Sequence, residues 1–397
     1  MKRRDFIIKG GLASTGILAS TSAIAGIANR FSANDTINIG VIGTGSRGKG
    51  LIGLLNKIDG VKVIACSDIL PFRLEEGLKR AGKKAKGYAD YRKLLENMDV
   101  DAVIVSTPFN THSAIGIDAI DAGKHVYGEK TMAKGMEGIQ ALVKKVNASK
   151  QIFQTGHQYH SSRLYTHVVE MIKNGDIGEI ADFECQWNRN GDWRRDVPDP
   201  SLERAINWRM YREYSGGLTA ELSSHQIDFV SWVLGENPKK IMGTGGINYW
   251  KDGRDTYDNT HLLFEYPGGA RAKFTCLTSN ALGDYQIVVH GSKGTIQMDY
   301  TKAWIYFEKG QEKELADVDG VSGATKNPHL QGNGRQINFS HGDPTKQALI
   351  DFRDNILNNK TPVSNVHTGA RTAAAVQLAL DAMYDEKIVY WKDSYNF

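Results

Sequence analysis

INIGVIGTGSRGKGLI (residues 37–52) joins an apolar hexapeptide to a glycine turn and then to the opening of a helix. Ile37–Ile42 has the unbroken apolar character of a strand buried on both faces, and Gly43, Gly45 and Gly48 follow it in G-x-G-x-x-G spacing. Such a turn serves a dinucleotide. Its first glycine permits the tight bend, its second lets the backbone approach a diphosphate, and its third lets helix and strand pack closely, while the first helical N–H groups face the anion. Ser46 and Arg47, inside the turn, belong to the same expected cofactor contact. Alone the spacing is a weak signal, but VKVIACSD (61–68) supplies a second strand ending in Asp68, where a carboxylate binds the adenosine ribose. That carboxylate disfavours a 2′-phosphate and so favours NAD. Arg47 and Arg73 could neutralise such a phosphate, which leaves NADP open.

Outward from this unit the rhythm persists. DAVIVST (101–107), KHVYGE (124–129) and QIFQTG (151–156) read as further buried strands, separated by segments of helical spacing such as GMEGIQALVKKVNAS. Strands alternating with helices imply a doubly wound parallel sheet, so the fold class is α/β and residues 36–156 form a dinucleotide-binding domain. Beyond residue 157 the pattern changes. A helix ending near Gly175, an arginine- and tryptophan-rich stretch from 187 to 217 and a helix at 221–235 precede strands of period-two alternation, such as TIQMDY. Residues 157–397 are therefore expected to form a substrate-binding and oligomerisation α+β domain with an open, mainly antiparallel sheet. The Gly- and Asn-rich segment 316–342 reads as a loop too polar for core, and helices at 344–358 and 367–386 close the chain.

The 397 residues are 41% hydrophobic and carry a formal charge of +4. Lys2, Arg3, Arg4 and Lys9 against Asp5 concentrate +3 of it in residues 1–25, so the remainder has no basic field for nucleic acid. Residues 1–30 combine a basic start, a short Gly-interrupted apolar run and the small-residue site Ala23-Ile24-Ala25. These features imply a signal peptide, cleaved or retained as an anchor, and Arg3-Arg4-Asp5-Phe6 resembles the twin-arginine type that exports folded proteins. The expected location is the periplasm or another exported compartment, with no stable membrane span. Cys66, Cys185 and Cys276 are odd in number and set in apolar runs, which implies buried thiols.

STPFNTH (106–112), GKHVYGEKTM (123–132) and GGLTAELSSHQID (216–228) follow the glycine turn in that order. The ordered set resembles the Gfo/Idh/MocA family of glucose-fructose oxidoreductase and inositol dehydrogenase over about residues 36–391. The resemblance implies a Rossmann domain followed by an open-sheet domain whose outer face often serves in homo-oligomers, as dimers or tetramers. It also implies redox chemistry at a secondary alcohol of a sugar or polyol. Thr107, Pro108, Asn110 and His112 match the family turn that runs beside the cofactor. Glu129 and Lys130 match its Glu-Lys-Pro signature, with the lysine directed at nicotinamide and substrate; here Thr131 replaces the proline. Glu221 and His225 stand at the positions of the family's aspartate and histidine.

Oxidation of an alcohol needs a base near the hydroxyl and a donor or cation for the developing alkoxide. His225 suits the base by its near-neutral intrinsic pKa, with Glu221 able to orient its ring; Lys130 could donate to the oxygen or serve as base if burial lowers its pKa. His157, Tyr159 and Arg163, at the domain junction, are candidate substrate neighbours together with Trp208 and Arg209, while Trp187 and Trp193 are of the kind that stacks on sugar faces. His157, His160, Glu221 and His225 admit a metal reading, but their spacing matches no tight zinc motif and no metal is expected. Two alternatives to a sugar or glycoside oxidoreductase stay open. One is an NAD-dependent glycosidase that oxidises, eliminates and re-reduces; the other is a non-catalytic cofactor-binding sensor. Export with a dinucleotide also implies a cofactor held and recycled within the site.

Overall fold

A computed structural model describes residues 36–311, 334–339 and 342–397. The basic leader of residues 1–30 and most of the 316–342 segment lie outside the described residues. The first sheet contains β1 (Ile37–Ile42), β2 (Val61–Ser67), β3 (Lys86–Tyr88), β4 (Ala102–Val105), β5 (His125–Gly128) and β6 (Phe153–Thr155). All six are parallel, in the order β3-β2-β1-β4-β5-β6. Reversal of direction beside β1 opens a crevice at the carboxyl ends of β1 and β4, and that crevice is where such sheets bind ligands. Helices α1 (Ser46–Leu55), α2 (Pro71–Ala81), α3 (Tyr91–Leu95), α4 (His112–Asp121) and α5 (Met136–Asn147) cover the faces. Because both faces are covered, all four residues of β4 are buried, which accounts for its continuous apolar run.

After α6 (Arg163–Lys173) the chain forms β7 (Ile180–Asn188), a single helical turn α7 (Glu203–Ile206) and α8 (Ser224–Leu234). It then adds β8 (Lys240–Gly246), β9 (Asn259–Glu265), β10 (Arg271–Leu277), β11 (Tyr285–Gly291), β12 (Gly294–Met298), β13 (Ala303–Phe307) and β14 (Arg335–Ile337). Helices α9 (Pro344–Asn358) and α10 (Val366–Tyr384) and the edge strand β15 (Val389–Tyr390) complete it. The nine strands of the second sheet run β14-β13-β12-β11-β7-β10-β9-β8-β15. Every pairing is antiparallel except β7 with β10. One face packs on helices and the other is polar, with Lys273 bridging Glu184 at 2.6 Å and Asp182 at 3.1 Å.

The fold corrects two local expectations. Residues 335–337, read as loop, form β14 against β13 with Ile337 buried; three residues are too few to show a period, and the neighbouring strand supplies the hydrogen bonds. Tyr300 lies past the end of β12, stacked on Tyr285 at 4.4 Å. The late helices also work at both ends of the molecule. Ala348, Leu349, Phe352 and Ile356 of α9 pack in the core of the first sheet. From α10, Ala370, Ala373 and Ala374 enter that domain's other core, and Ala375, Val376 and Ala379 enter the core of the second sheet. Small side chains along α10 let one helix lie close to both sheets, so the cleft between them has a common back wall.

Candidate active site

The glycine turn folds as the sequence requires. Gly43 has φ +88°, and a Cβ there would sit 2.7 Å from the Ser106 carbonyl oxygen; a Cβ on Gly48 would sit 2.0 Å from the carbonyl oxygen of Gly43. Gly45 is different: a Cβ would meet only the Arg73 guanidinium, at 3.8 Å, so the space over the start of α1 is open. That open cradle at a helix N-terminus fits a dinucleotide diphosphate. Ser106 Oγ donates to Gly43 O at 2.7 Å and ties the turn to the end of β4. Asp68 closes β2 with Oδ2 accepting from Thr44 N at 2.8 Å and Oδ1 from Leu70 N at 2.9 Å.

Four of the expected cofactor residues lie on the turn after β4. Pro108 leads into it, Thr107 Oγ1 accepts from Thr111 Oγ1 at 2.8 Å, and Asn110 N donates to Tyr214 O at 3.1 Å, while Asn110 Oδ1 is buried without a partner among the described residues. His112 spans this turn and the next, with Nε2 2.9 Å from Thr107 O and Nδ1 2.8 Å from Thr131 O. Burial pushes its pKa down more strongly than the two carbonyls raise it.

Glu129 and Lys130 follow β5 directly. Glu129 Oε1 accepts from Arg47 Nε at 2.7 Å. The peptide after Lys130 is cis, and Thr131, in the family's proline position, donates its hydroxyl to Ala220 O at 3.1 Å. Lys130 Nζ donates to the next carbonyl, Glu221 O, at 2.8 Å. These carbonyls are available because residues Thr219–Ser223 form a π-helical turn ahead of α8, where the regular ladder is interrupted.

The π turn also redirects Glu221. Its carboxylate does not orient His225, as the i, i+4 spacing suggested. Oε2 instead accepts from Arg209 Nε at 2.8 Å and lies 4.0 Å from Lys130 Nζ. Burial opposes its ionisation, but Arg209 and Lys130 outweigh burial and leave its pKa below the usual carboxylate range. Burial likewise lowers the pKa of Lys130, against the pull of Glu221 and Glu129. His225 is driven well below its ordinary 6.5, first by burial and then by the charge of Lys130 and by His157. Its ring is neutral, and Nδ1 has no hydrogen-bond partner among the described residues.

A cavity of about 440 Å³ lies between the domains. Arg47, Thr107, His112, Glu129 and Lys130 line it from the first, and Trp208, Arg209, Glu221 and His225 from the second. Three of the five substrate candidates do not line it. His157 is buried behind His225, with ring centres 5.8 Å apart, and Tyr159 is stacked on Tyr165 at 4.4 Å. Arg163, at the start of α6, lies over the Phe339 ring at 5.7 Å. Side chains that tightly packed or turned elsewhere cannot touch a ligand, so contact from these three is not supported. Gln158, between two of them, does line the cavity, as do Ser106, Phe109, Leu222, Trp187, Arg189, Trp193 and Arg195. The run WNRNGDWRRD was the available signal for the last four. Of the residues in the metal reading, His160 Nε2 lies 2.8 Å from Asp228 Oδ2, and Glu221 faces Arg209. Among the described residues the one cluster with ligand spacing is Asp182, Glu184 and His290, on the outer sheet face where Lys273 already pairs both acids.

Residues 37–157 match the oxidoreductase family with an NAD-binding Rossmann fold, and residues 165–297 match the GFO/IDH/MocA C-terminal domain. The chain is 28% identical to myo-inositol 2-dehydrogenase of Thermotoga maritima, over 66% of its own length and 75% of the relative's. It is 29% identical to 2,7-anhydro-N-acetylneuraminate hydratase of Escherichia coli K12, over 66% and 68%. Levoglucosan dehydrogenase, solved in complex with NADH and L-sorbose, shares the fold with a TM-score of 0.73 at 18% identity, over 90% of this chain and 99% of that one. With the glycine turn, the six parallel strands and the open second sheet in place, the chain is an NAD-binding oxidoreductase of the Gfo/Idh/MocA family.

Proposed function

We propose that this protein transfers hydride to or from a secondary alcohol carbon of a sugar, polyol or glycoside. The observation that carries this reading is the meeting of Lys130, Glu221 and a neutral His225 on one cavity beside the glycine turn. A dinucleotide held at the Gly43–Gly48 turn would supply a nicotinamide able to accept or return the hydride. His225 takes the hydroxyl proton, since its neutral ring has a free lone pair to offer. Lys130, steadied by the carbonyl and carboxylate of Glu221, donates to the oxygen as negative charge develops on it. Arg209 keeps Glu221 ionised and lies over Trp208 at 4.2 Å, giving the substrate a flat apolar face beside hydrogen-bond donors. The twin-arginine leader supports export after folding, and an exported enzyme with little free NAD around it does best to hold its cofactor through many turnovers. The polar outer face of the second sheet is the surface for a dimer or tetramer.

The test is to purify the protein without added nucleotide, record the absorbance of bound nicotinamide, and screen sugars and glycosides for growth or bleaching of the reduced band. A protein that carries and binds no dinucleotide defeats the proposal. A second reading draws on the likeness to the anhydro-sugar hydratase. In it a bound nicotinamide would take a hydride from the sugar and later return it, while the same residues move the protons as the glycosidic substituent is eliminated and water adds in its place. An aryl glycoside or anhydro sugar is then cleaved with no net change in the band.

A further inference from the structure

Arg195 reaches the first domain from a loop of the second. Its Nη1 donates to Ser46 Oγ at 2.5 Å, in the first turn of α1. Its main chain is held from both sides by Asn207, which is 2% exposed: Asn207 Oδ1 accepts from Arg195 N at 2.8 Å and Nδ2 donates to Arg195 O at 2.9 Å. Asn207 is itself anchored to Glu203 Oε2 at 2.9 Å, and the neighbouring Arg194 pairs with Glu203 and with Asp252. A long flexible side chain thus starts from a fixed base, which reduces the entropy lost when its head group binds.

The charges around that head group are unbalanced. Arg73 stands over Gly45, on the same open cradle. Among the described residues neither Arg73 nor Arg195 has a carboxylate within 4 Å, whereas Arg47 and Arg209 are paired with Glu129 and Glu221. Burial lowers the pKa of both guanidinium groups; Arg209 lowers both further and Arg195 that of Arg73, while Asp68 and Glu76 pull Arg73 the other way and no described carboxylate offsets Arg195. The N-terminus of α1 adds its own partial positive charge. The Arg195 head group, with no carboxylate partner of its own among the described residues, favours an added anion beside it, and a diphosphate carries two negative charges at that place.

We propose that Arg195 is a cofactor-positioning residue that closes from the second domain over the diphosphate of the bound dinucleotide and, opposite Arg73, slows its departure. This rests on the dinucleotide reading of the cleft. The experiment compares the full chain with Arg195→Ala and Arg195→Lys, using NADH fluorescence for affinity and rapid mixing with excess ADP-ribose for the dissociation rate. Loss of one charge-assisted contact should speed NADH release about 10- to 100-fold in the alanine variant, with partial recovery in the lysine variant. Melting of the ligand-free proteins should differ little, because the Ser46 contact is exposed. Release within twofold of wild type in Arg195→Ala overturns the proposal. Equal weakening in both variants, with a matching loss of ligand-free stability, also overturns it, since Arg195 would then be only a tie between domains. Absence of NADH binding by the wild type would instead defeat the dinucleotide reading itself.

Discussion

The glycine cradle beside the cavity is made of backbone, whereas the cavity wall supplied by the second domain is made of side chains. Gly43, Gly45 and Gly48 lie within six consecutive residues and act by having no side chain. The opposite wall brings together Trp187, Trp208, Arg209, Glu221 and His225, carried by β7, a short helical turn, the π turn and α8. A backbone site tolerates no added atom, while a side-chain site fails when a proton or a charge is moved. The two walls should therefore break in different ways.

The largest effect is expected on the side-chain wall. His225→Ala and Lys130→Met should each lower kcat/KM by about 10²- to 10⁴-fold on any sugar or glycoside that moves the reduced-nicotinamide band, with NADH affinity changed only a few-fold. A collapse of NADH binding in both variants would merge the walls into one cofactor site. On the backbone wall, Gly48→Ala forces a Cβ against the Gly43 carbonyl and should cost about 3 kcal/mol in a urea melt, together with NADH binding. Gly45→Ala has room and should keep its stability while losing affinity, which separates packing from ligand contact at adjacent glycines.

pH offers a subtler comparison. Burial keeps His157 and His225 neutral in the fold, whereas in the unfolded chain each takes a proton near pH 6.5. Their contribution is whole above that value and is lost as pH falls below it, by up to about 1.4 kcal/mol per pH unit for each ring. Denaturation midpoints measured from pH 7.5 to 5.5 should fall accordingly, and substituting either residue by Gln should flatten the slope. The smallest effect is expected from Thr131→Val, which removes one hydrogen bond to Ala220 O and costs about 1 kcal/mol, because Ser224 Oγ still donates to that oxygen at 2.7 Å.

The difference between the walls also explains what was legible. Five of the six parallel strands could be read because buried strands leave apolar runs, and the turn could be read because a diphosphate demands glycines at set intervals; β3, the edge strand Lys86–Tyr88, is short and largely exposed and left no such run. Lys130, Glu221 and His225 were found through motif order, not through spacing, and spacing misled on their partners: the π turn sends Glu221 to Arg209 instead of to His225. The sequence pointed to Arg163 and Tyr159 and passed over Gln158, and only packing on Phe339 and Tyr165 removed the first two from the cavity that Gln158 lines. Export belongs to a leader outside the described residues and remains a proposal.

By itself the sequence determined the alternation of strand and helix and the dinucleotide turn, because each rests on interactions within a few tens of residues, and the order of its motifs pointed to the groups able to move a proton. Tertiary structure alone decided which of those groups share a cavity, that Glu221 answers to Arg209 and Lys130, and that Arg195 crosses from the second domain to Ser46. Those relations join residues as many as 149 positions apart, and their distances follow from how α10 and the two sheets pack rather than from any local pattern.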